Sequence, residues 1–204
     1  MNPKIAEILL KIKAVHLQPD NFFTWTSGIK SPIYCDNRQI ISYPQHRKVV
    51  VDEFIDYIKT NFPDTEVIAG TATAGIPWAA WIADKLNLPL VYIRGASKGH
   101  GLKNAIEGKV KENQKVLIIE DLISTGKSSI AAANEAKTAK LEVAAVLSIF
   151  TYGFDKARIQ FEASNLDFFS LCDLDSLLQY AKDQSLLTNE QIAIISQWKM
   201  DQEN

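Results

Sequence analysis

The chain has only two cysteines in 204 residues, Cys35 and Cys172, far apart and without metal-ligand spacing. With three histidines besides, a structural zinc site is not expected. Neither sign of charge dominates, at 22 Lys and Arg against 24 Asp and Glu. That balance argues against a dedicated nucleic-acid binder, whose domain carries a basic excess, but leaves room for a local basic site for a small anion. No apolar run approaches the length of a membrane span. The first residues, MNPKIAEILLKIKAV, are interrupted by Lys4, Glu7, Lys11 and Lys13. They read as an amphipathic helix, not as a secretory leader with an uncharged apolar segment. Internal repeats, low-complexity tracts and Pro/Ser-rich linkers are missing too. The expectation is a cytoplasmic protein with no membrane or nucleic-acid partner.

What is present is an apolar fraction of 47%, enough for one large domain with a substantial core. After residue 43 helix and strand alternate. A helix over 44–59 leads to a strand at 66–70, and a helix over 76–86 to a strand at 89–94. A long polar loop, 95–108, precedes a strand at 115–121. A helix over 127–140 then leads to a strand at 143–151, another helix precedes a strand at 166–171, and two helices follow. Strands apolar on both faces and separated by helices predict an α/β fold, a parallel sheet flanked by helices. Such sheets bind ligands beyond the carboxyl ends of their strands. Residues 1–42 read as a small N-terminal hood, a helix plus a hairpin of 22–26 against 31–35 across Ser27-Gly28. The α/β core is then 43–204.

One strand end concentrates the chemistry. The apolar run Val116-Leu117-Ile118-Ile119 ends in Glu120-Asp121, and Leu122-Ile123-Ser124-Thr125-Gly126-Lys127-Ser128 opens the next helix. Adjacent strand residues face opposite ways, so the two acids need not do the same job. The turn behind them offers backbone N–H groups and hydroxyls at a helix N-terminus, which suits a phosphate. Thr-Gly-Lys-Ser imitates the tail of a nucleotide P-loop, but that motif needs a glycine where Asp121 stands. A carboxylate there would repel the phosphates. The plainer alternative is that Asp121 and Ser124 only cap the helix.

Two other loops follow strands. The stretch from Arg94 to Lys109 is too long for a simple connection and has the composition of a mobile cationic lid, with Arg94, Lys98, His100 and Lys103. Gly70-Thr71-Ala72-Thr73-Ala74-Gly75 lacks dinucleotide-loop spacing. Its small residues allow either close approach to a ligand or tight helix–sheet packing.

The run Val116–Ser129 resembles the phosphoribosyl-pyrophosphate (PRPP) motif of type I phosphoribosyltransferases. Phe23-Thr24-Trp25-Thr26-Ser27-Gly28-Ile29-Lys30-Ser31-Pro32 is similar to the hairpin of their orotate-specific members, and Arg94-x-x-x-Lys98-x-His100-Gly101 to the lid of those members. The resemblance covers about residues 20–130 and points to the bacterial single-function form. It implies orotate and PRPP as substrates, with Mg2+ as cofactor, bound through PRPP and water near Glu120 and Asp121 and not directly by protein ligands. It implies that Arg94, Lys98 and His100 meet the pyrophosphate side of PRPP, and that 120–128 (Glu120, Asp121, Leu122, Ile123, Ser124, Thr125, Gly126, Lys127, Ser128) hold ribose and 5′-phosphate. Ser124, Tyr34 and Cys35 would meet orotate, while Lys98 and Asp121 carry the catalytic roles. It further implies a homodimer with lid residues shared across subunits, and 70–76 as a pyrophosphate loop. The arginine that some members place on the orotate carboxylate has no counterpart, since Phe150-Thr151-Tyr152 fill that region. Lys30 or backbone amides are the stand-ins. A purine phosphoribosyltransferase, or a regulatory RNA-binding protein on the same fold, are the rival readings.

Overall fold

The computed structural model describes residues 3–25, 28–95 and 105–202. The chain opens with α1 (Pro3–Lys11), whose Ile5, Ala6, Ile8 and Leu9 are buried on one face. The helix stops earlier than its composition suggests, and Lys13 takes φ +57°. Next come β1 (Val15–Leu17), β2 (Phe23–Thr24), β3 (Lys30–Ser31) and β4 (Ile33–Cys35). The β2–β3 hairpin forms where the sequence predicts it, with Trp25 N bonded to Ile29 O at 2.9 Å. Its expected second arm is two strands, because β4 turns to pair with β1 instead. Nothing in the helix-like spacing of residues 5–15 signalled β1; short apolar runs fit either period.

A 3-10 turn over Asn37–Ser42 leads into α2 (Pro44–Asn61). Then follow β5 (Val67–Thr71), α3 (Gly75–Leu86), β6 (Leu90–Ile93), β7 (Ile106–Glu107), β8 (Lys115–Ile123), α4 (Lys127–Thr138), β9 (Glu142–Thr151), α5 (Asp155–Ala163), β10 (Phe168–Asp173), α6 (Leu174–Asp183) and α7 (Asn189–Asp201). The sheet order is β10-β9-β8-β5-β6-β7, parallel except for the antiparallel edge strand β7.

The strands sort their side chains by parity. Leu117 and Ile119 join a core shared with α1, α2, α3 and α6, while Val116 and Ile118 join one completed by Ala132, Ala133 and Phe161 of α4 and α5. Helices therefore cover both faces, as apolar parallel strands require. The hood residues Ile5, Leu9, Ile33 and Ile40 belong to the first of these cores.

Two expectations need correction. The loop after β6 is not irregular throughout, because Ile93 and Tyr92 pair with Ile106 and Glu107 and Arg94 N bonds Ala105 O at 2.8 Å. The acid pair is not the strand's end either. The ladder with β9 continues through Leu122↔Phe150 and Ile123↔Thr151, and Thr151 Oγ1 donates to Ile123 O at 2.9 Å.

The chain leaves β5 toward β6 on one side, and β8 lies on the other. This is the switch point at which α/β sheets open a crevice beyond their carboxyl ends.

Candidate active site

At that switch point an open cleft of about 320 Å³ is lined by Cys35, Asp36 and Arg38 from the hood side, by Thr71–Ala74, and by Glu120, Asp121, Leu122 and Ser128. Three segments that the sequence singled out thus meet at one place. The approach is enforced by packing. A Cβ on Gly75 would fall 2.3 Å from Ile119 O, and one on Gly70 would fall 2.8 Å from Ile76 Cα. These two glycines serve the contact of α3 with the sheet, which leaves the intervening Thr71–Ala74 for the cleft.

Glu120 is only 5% exposed. Its Oε1 accepts from Asp121 N at 3.1 Å and its Oε2 from the buried Ser129 hydroxyl at 3.4 Å. Burial pushes its carboxyl up to about 8, and the neighbouring Asp121 charge adds to the rise. Asp121 is also raised by burial, against the opposing influences of Glu120 and the Arg38 charge. Two adjacent acids held half-dry are poised to gain hydroxyl donors or a cation. Thr71 Oγ1, buried beside them, has no hydrogen-bond partner among the described residues.

The capping alternative fails on geometry. The N-cap of α4 is Gly126 at φ +80°, with no side-chain cap bond, so neither Asp121 nor Ser124 fills that role. The first N–H groups of α4 therefore stand free of intrahelical partners. Gly126 is fixed doubly, since a Cβ there would also meet the Phe161 ring at 2.6 Å. Ile123 is 1% exposed and packs in the core. Any ligand contact it makes is through the main chain. Ser124 and Thr125 are half-buried, whereas Lys127 and Ser128 are exposed.

Of the hairpin pair, Cys35 lines the cleft, while Tyr34 is 41% exposed and packs on Phe23 with ring centroids 5.9 Å apart. Lys98 and His100 lie outside the described residues, as does Lys103. Arg94 stands at the base of the β6–β7 ladder, where Nη2 meets Glu107 Oε1 at 2.8 Å. It is not among the described residues lining the cleft of its own chain.

Sequence reasoning overlooked 36–38. Asn37 is fully buried, and its side-chain amide bonds Asp121 O at 2.7 Å. Asp36 caps the 3-10 turn and holds Arg38 Nε at 2.6 Å. An Asp just before a helical turn is a capping signal, and it could have drawn attention to this segment.

Residues 54–173 match the phosphoribosyl transferase domain family. An orotate phosphoribosyltransferase of Listeria innocua is 48% identical over 200 residues, covering 98% of this chain and 96% of that protein. Among solved structures, the orotate phosphoribosyltransferase of Aeropyrum pernix superposes with a TM-score of 0.78 at 24% identity, over 90% of this chain and 99% of that one. The UMP synthase of Leishmania donovani superposes with a TM-score of 0.81 at 29% identity, over 98% of this chain and 42% of that one. With near-complete coverage by such a relative, and with the acid pair, the small-residue loop and the Cys35–Arg38 segment meeting in one cleft, the chain belongs to the orotate phosphoribosyltransferase family.

Proposed function

We propose that this chain transfers the 5-phosphoribosyl group of PRPP to N1 of orotate, giving orotidine 5′-monophosphate and pyrophosphate. The observation that carries the proposal is the convergence of Glu120 and Asp121, Ser128 at the start of α4, Thr71–Ala74 and Cys35 of β4 at one switch point. The acids suit the ribose hydroxyls. The free amides at the start of α4 and the hydroxyls of Ser124, Thr125 and Ser128 suit the 5′-phosphate. Thr71–Ala74 suits the pyrophosphate, with the Thr71 hydroxyl available as a donor. Ser124, in the turn before α4, is assigned to both the 5′-phosphate and the base.

Attack by the N1 of orotate on the anomeric carbon needs no covalent nucleophile. Bond breaking ahead of bond making places positive charge on the ribose and negative charge on the leaving pyrophosphate, so the protein's work is positioning and charge stabilisation. Mg2+ would neutralise the pyrophosphate oxygens. The raised, adjacent carboxylates of Glu120 and Asp121 fit a hydrated dication carried in by PRPP. Lys98 serves as the cation that meets the departing group, and the lid it belongs to reaches the partner's cleft in a two-fold dimer. Arg94, paired with Glu107 at 2.8 Å on the β6–β7 ladder, stands where the proposed lid begins.

PRPP consumption with orotate, adenine, hypoxanthine and uracil offered separately tests the proposal. Orotate should be consumed, with pyrophosphate released in step and only when Mg2+ is present. Equal turnover of a purine would overturn the assignment.

A further inference from the structure

Orotate is a uracil ring with a carboxylate at C6. Its site must therefore satisfy a negative charge close to the acid pair Glu120 and Asp121, at a cost unless a cation or several donors meet it. The stretch Phe150-Thr151-Tyr152 at the end of β9 carries no cation, and Lys199, which approaches the next residue Gly153, is paired with Asp175 Oδ2 at 2.8 Å. Phe150 is fully buried, and Thr151 is bonded to Ile123 O. The ring of Tyr152 stacks on Phe154 at 5.3 Å and packs against Trp25 at 5.6 Å. Lys30, the other stand-in, donates to Thr24 Oγ1 at 2.9 Å on the exposed hairpin.

We propose that Arg38 recognises the carboxylate of the base and so sets the enzyme's choice of orotate over uncharged pyrimidines. This rests on the orotate reading above. Arg38 is the one cationic side chain among the described residues lining the cleft. It leaves the hood three positions after Cys35, and its charge reaches Asp121 on the opposite lip. Its direction is set in advance. Asp36 Oδ1 accepts from Arg38 Nε at 2.6 Å and from Arg38 N at 3.3 Å, so the carboxylate that orients the guanidinium is itself fixed to the backbone of the 3-10 turn. Only Nε is engaged. The two terminal NH2 groups have no partner among the described residues, and that end of the planar fork matches a carboxylate with two parallel hydrogen bonds. The same guanidinium lies near Thr71–Ala74, so a phosphate of PRPP is the competing ligand.

The test compares orotate with the uncharged 6-carboxamide of uracil, which keeps the shape and loses the charge. Inhibition or Michaelis constants for both, and KM for PRPP, are measured in the wild type, Arg38→Gln and Arg38→Lys. Arg38→Gln should weaken orotate about ten- to hundredfold, the scale of a lost charge-assisted pair, with the amide and PRPP changed far less. Arg38→Lys should recover part of the orotate affinity, because it restores charge without the fork. Equal weakening of orotate and amide, unchanged orotate binding, or a loss confined to PRPP would each overturn the role of Arg38. A wild type that fails to use orotate would instead bring down the parent proposal.

Discussion

Asn37 donates its side-chain amide to the main-chain carbonyl of Asp121 at 2.7 Å, across 84 residues of sequence. The same side chain accepts from the Cys35 thiol at 3.3 Å. One buried amide thereby ties the segment that lines the cleft at Cys35, Asp36 and Arg38 to the strand that carries the acids. Asn37→Ala would leave a carbonyl unmet and an amide-sized gap, costing about 1–3 kcal/mol. The melting temperature should drop by several degrees, with kcat/KM falling more than stability at the assay temperature accounts for. A thermal melt beside a steady-state assay checks both; a melting curve like that of the wild type would show the bond to be dispensable.

Glu120 sets a pH dependence whose sign can be worked out. Its carboxyl is raised from the ordinary 4.5 to about 8, so the folded state holds a proton that the unfolded chain releases. Stability from this group is complete below about 4.5 and is lost as pH climbs toward 8. Glu120→Gln removes the dependence. The variant should gain melting temperature relative to wild type at pH 8 and lose that advantage near pH 5, while PRPP binding weakens. Parallel melting curves across this range would contradict the assignment.

Gly75 and Gly95 form a matched pair. An added Cβ meets Ile119 O at 2.3 Å in the first and nothing within 4 Å in the second. Gly75→Ala should destabilise by about 1–3 kcal/mol or more through overpacking of α3 on β8. Gly95→Ala should leave the denaturation midpoint nearly unchanged. Equal effects would mean that the tight approach at Gly75 relaxes freely.

Shared sites are testable by mixing subunits. Lys98→Ala should depress kcat more than PRPP binding, and Asp121→Asn should weaken PRPP while preserving the fold. Combined in one dimer, one site collects both lesions and the other none, so about a quarter of wild-type activity should return after random reassortment. Once subunit exchange has been shown independently, no recovery would mean that each lid serves its own chain.

Much of this was legible beforehand because parallel strands announce themselves by apolarity on both faces. Val116–Ile119 was such a run, and the acids and small hydroxylated residues after it had few structural uses there. The misses have a common cause. β1 and β7 are strands of three and two residues, too short for any period to show, and each exists through its partner. The continuation of β8 past Asp121 likewise depends on Phe150 and Thr151, far along the chain. Asn37 and Arg38 carried no motif at all; their place in the cleft follows from the path of the turn after β4. The cationic stretch expected after β6 lies mostly outside the described residues, and the ladder at Ile93↔Ile106 gives only its two ends.

The indole of Trp198, on α7, donates to Lys30 O at 2.8 Å over a separation of 168 residues. Gln191 Nε2, on the same helix, reaches Asp20 Oδ2 at 2.8 Å across 171. Contacts of such long sequence separation close late, because loop entropy must be met before they return anything. During refolding the sheet and its phosphate turn can mature first, while the hood hairpin waits for the last helix to dock. A refolding chain should therefore regain affinity for PRPP before it regains the ability to use the base.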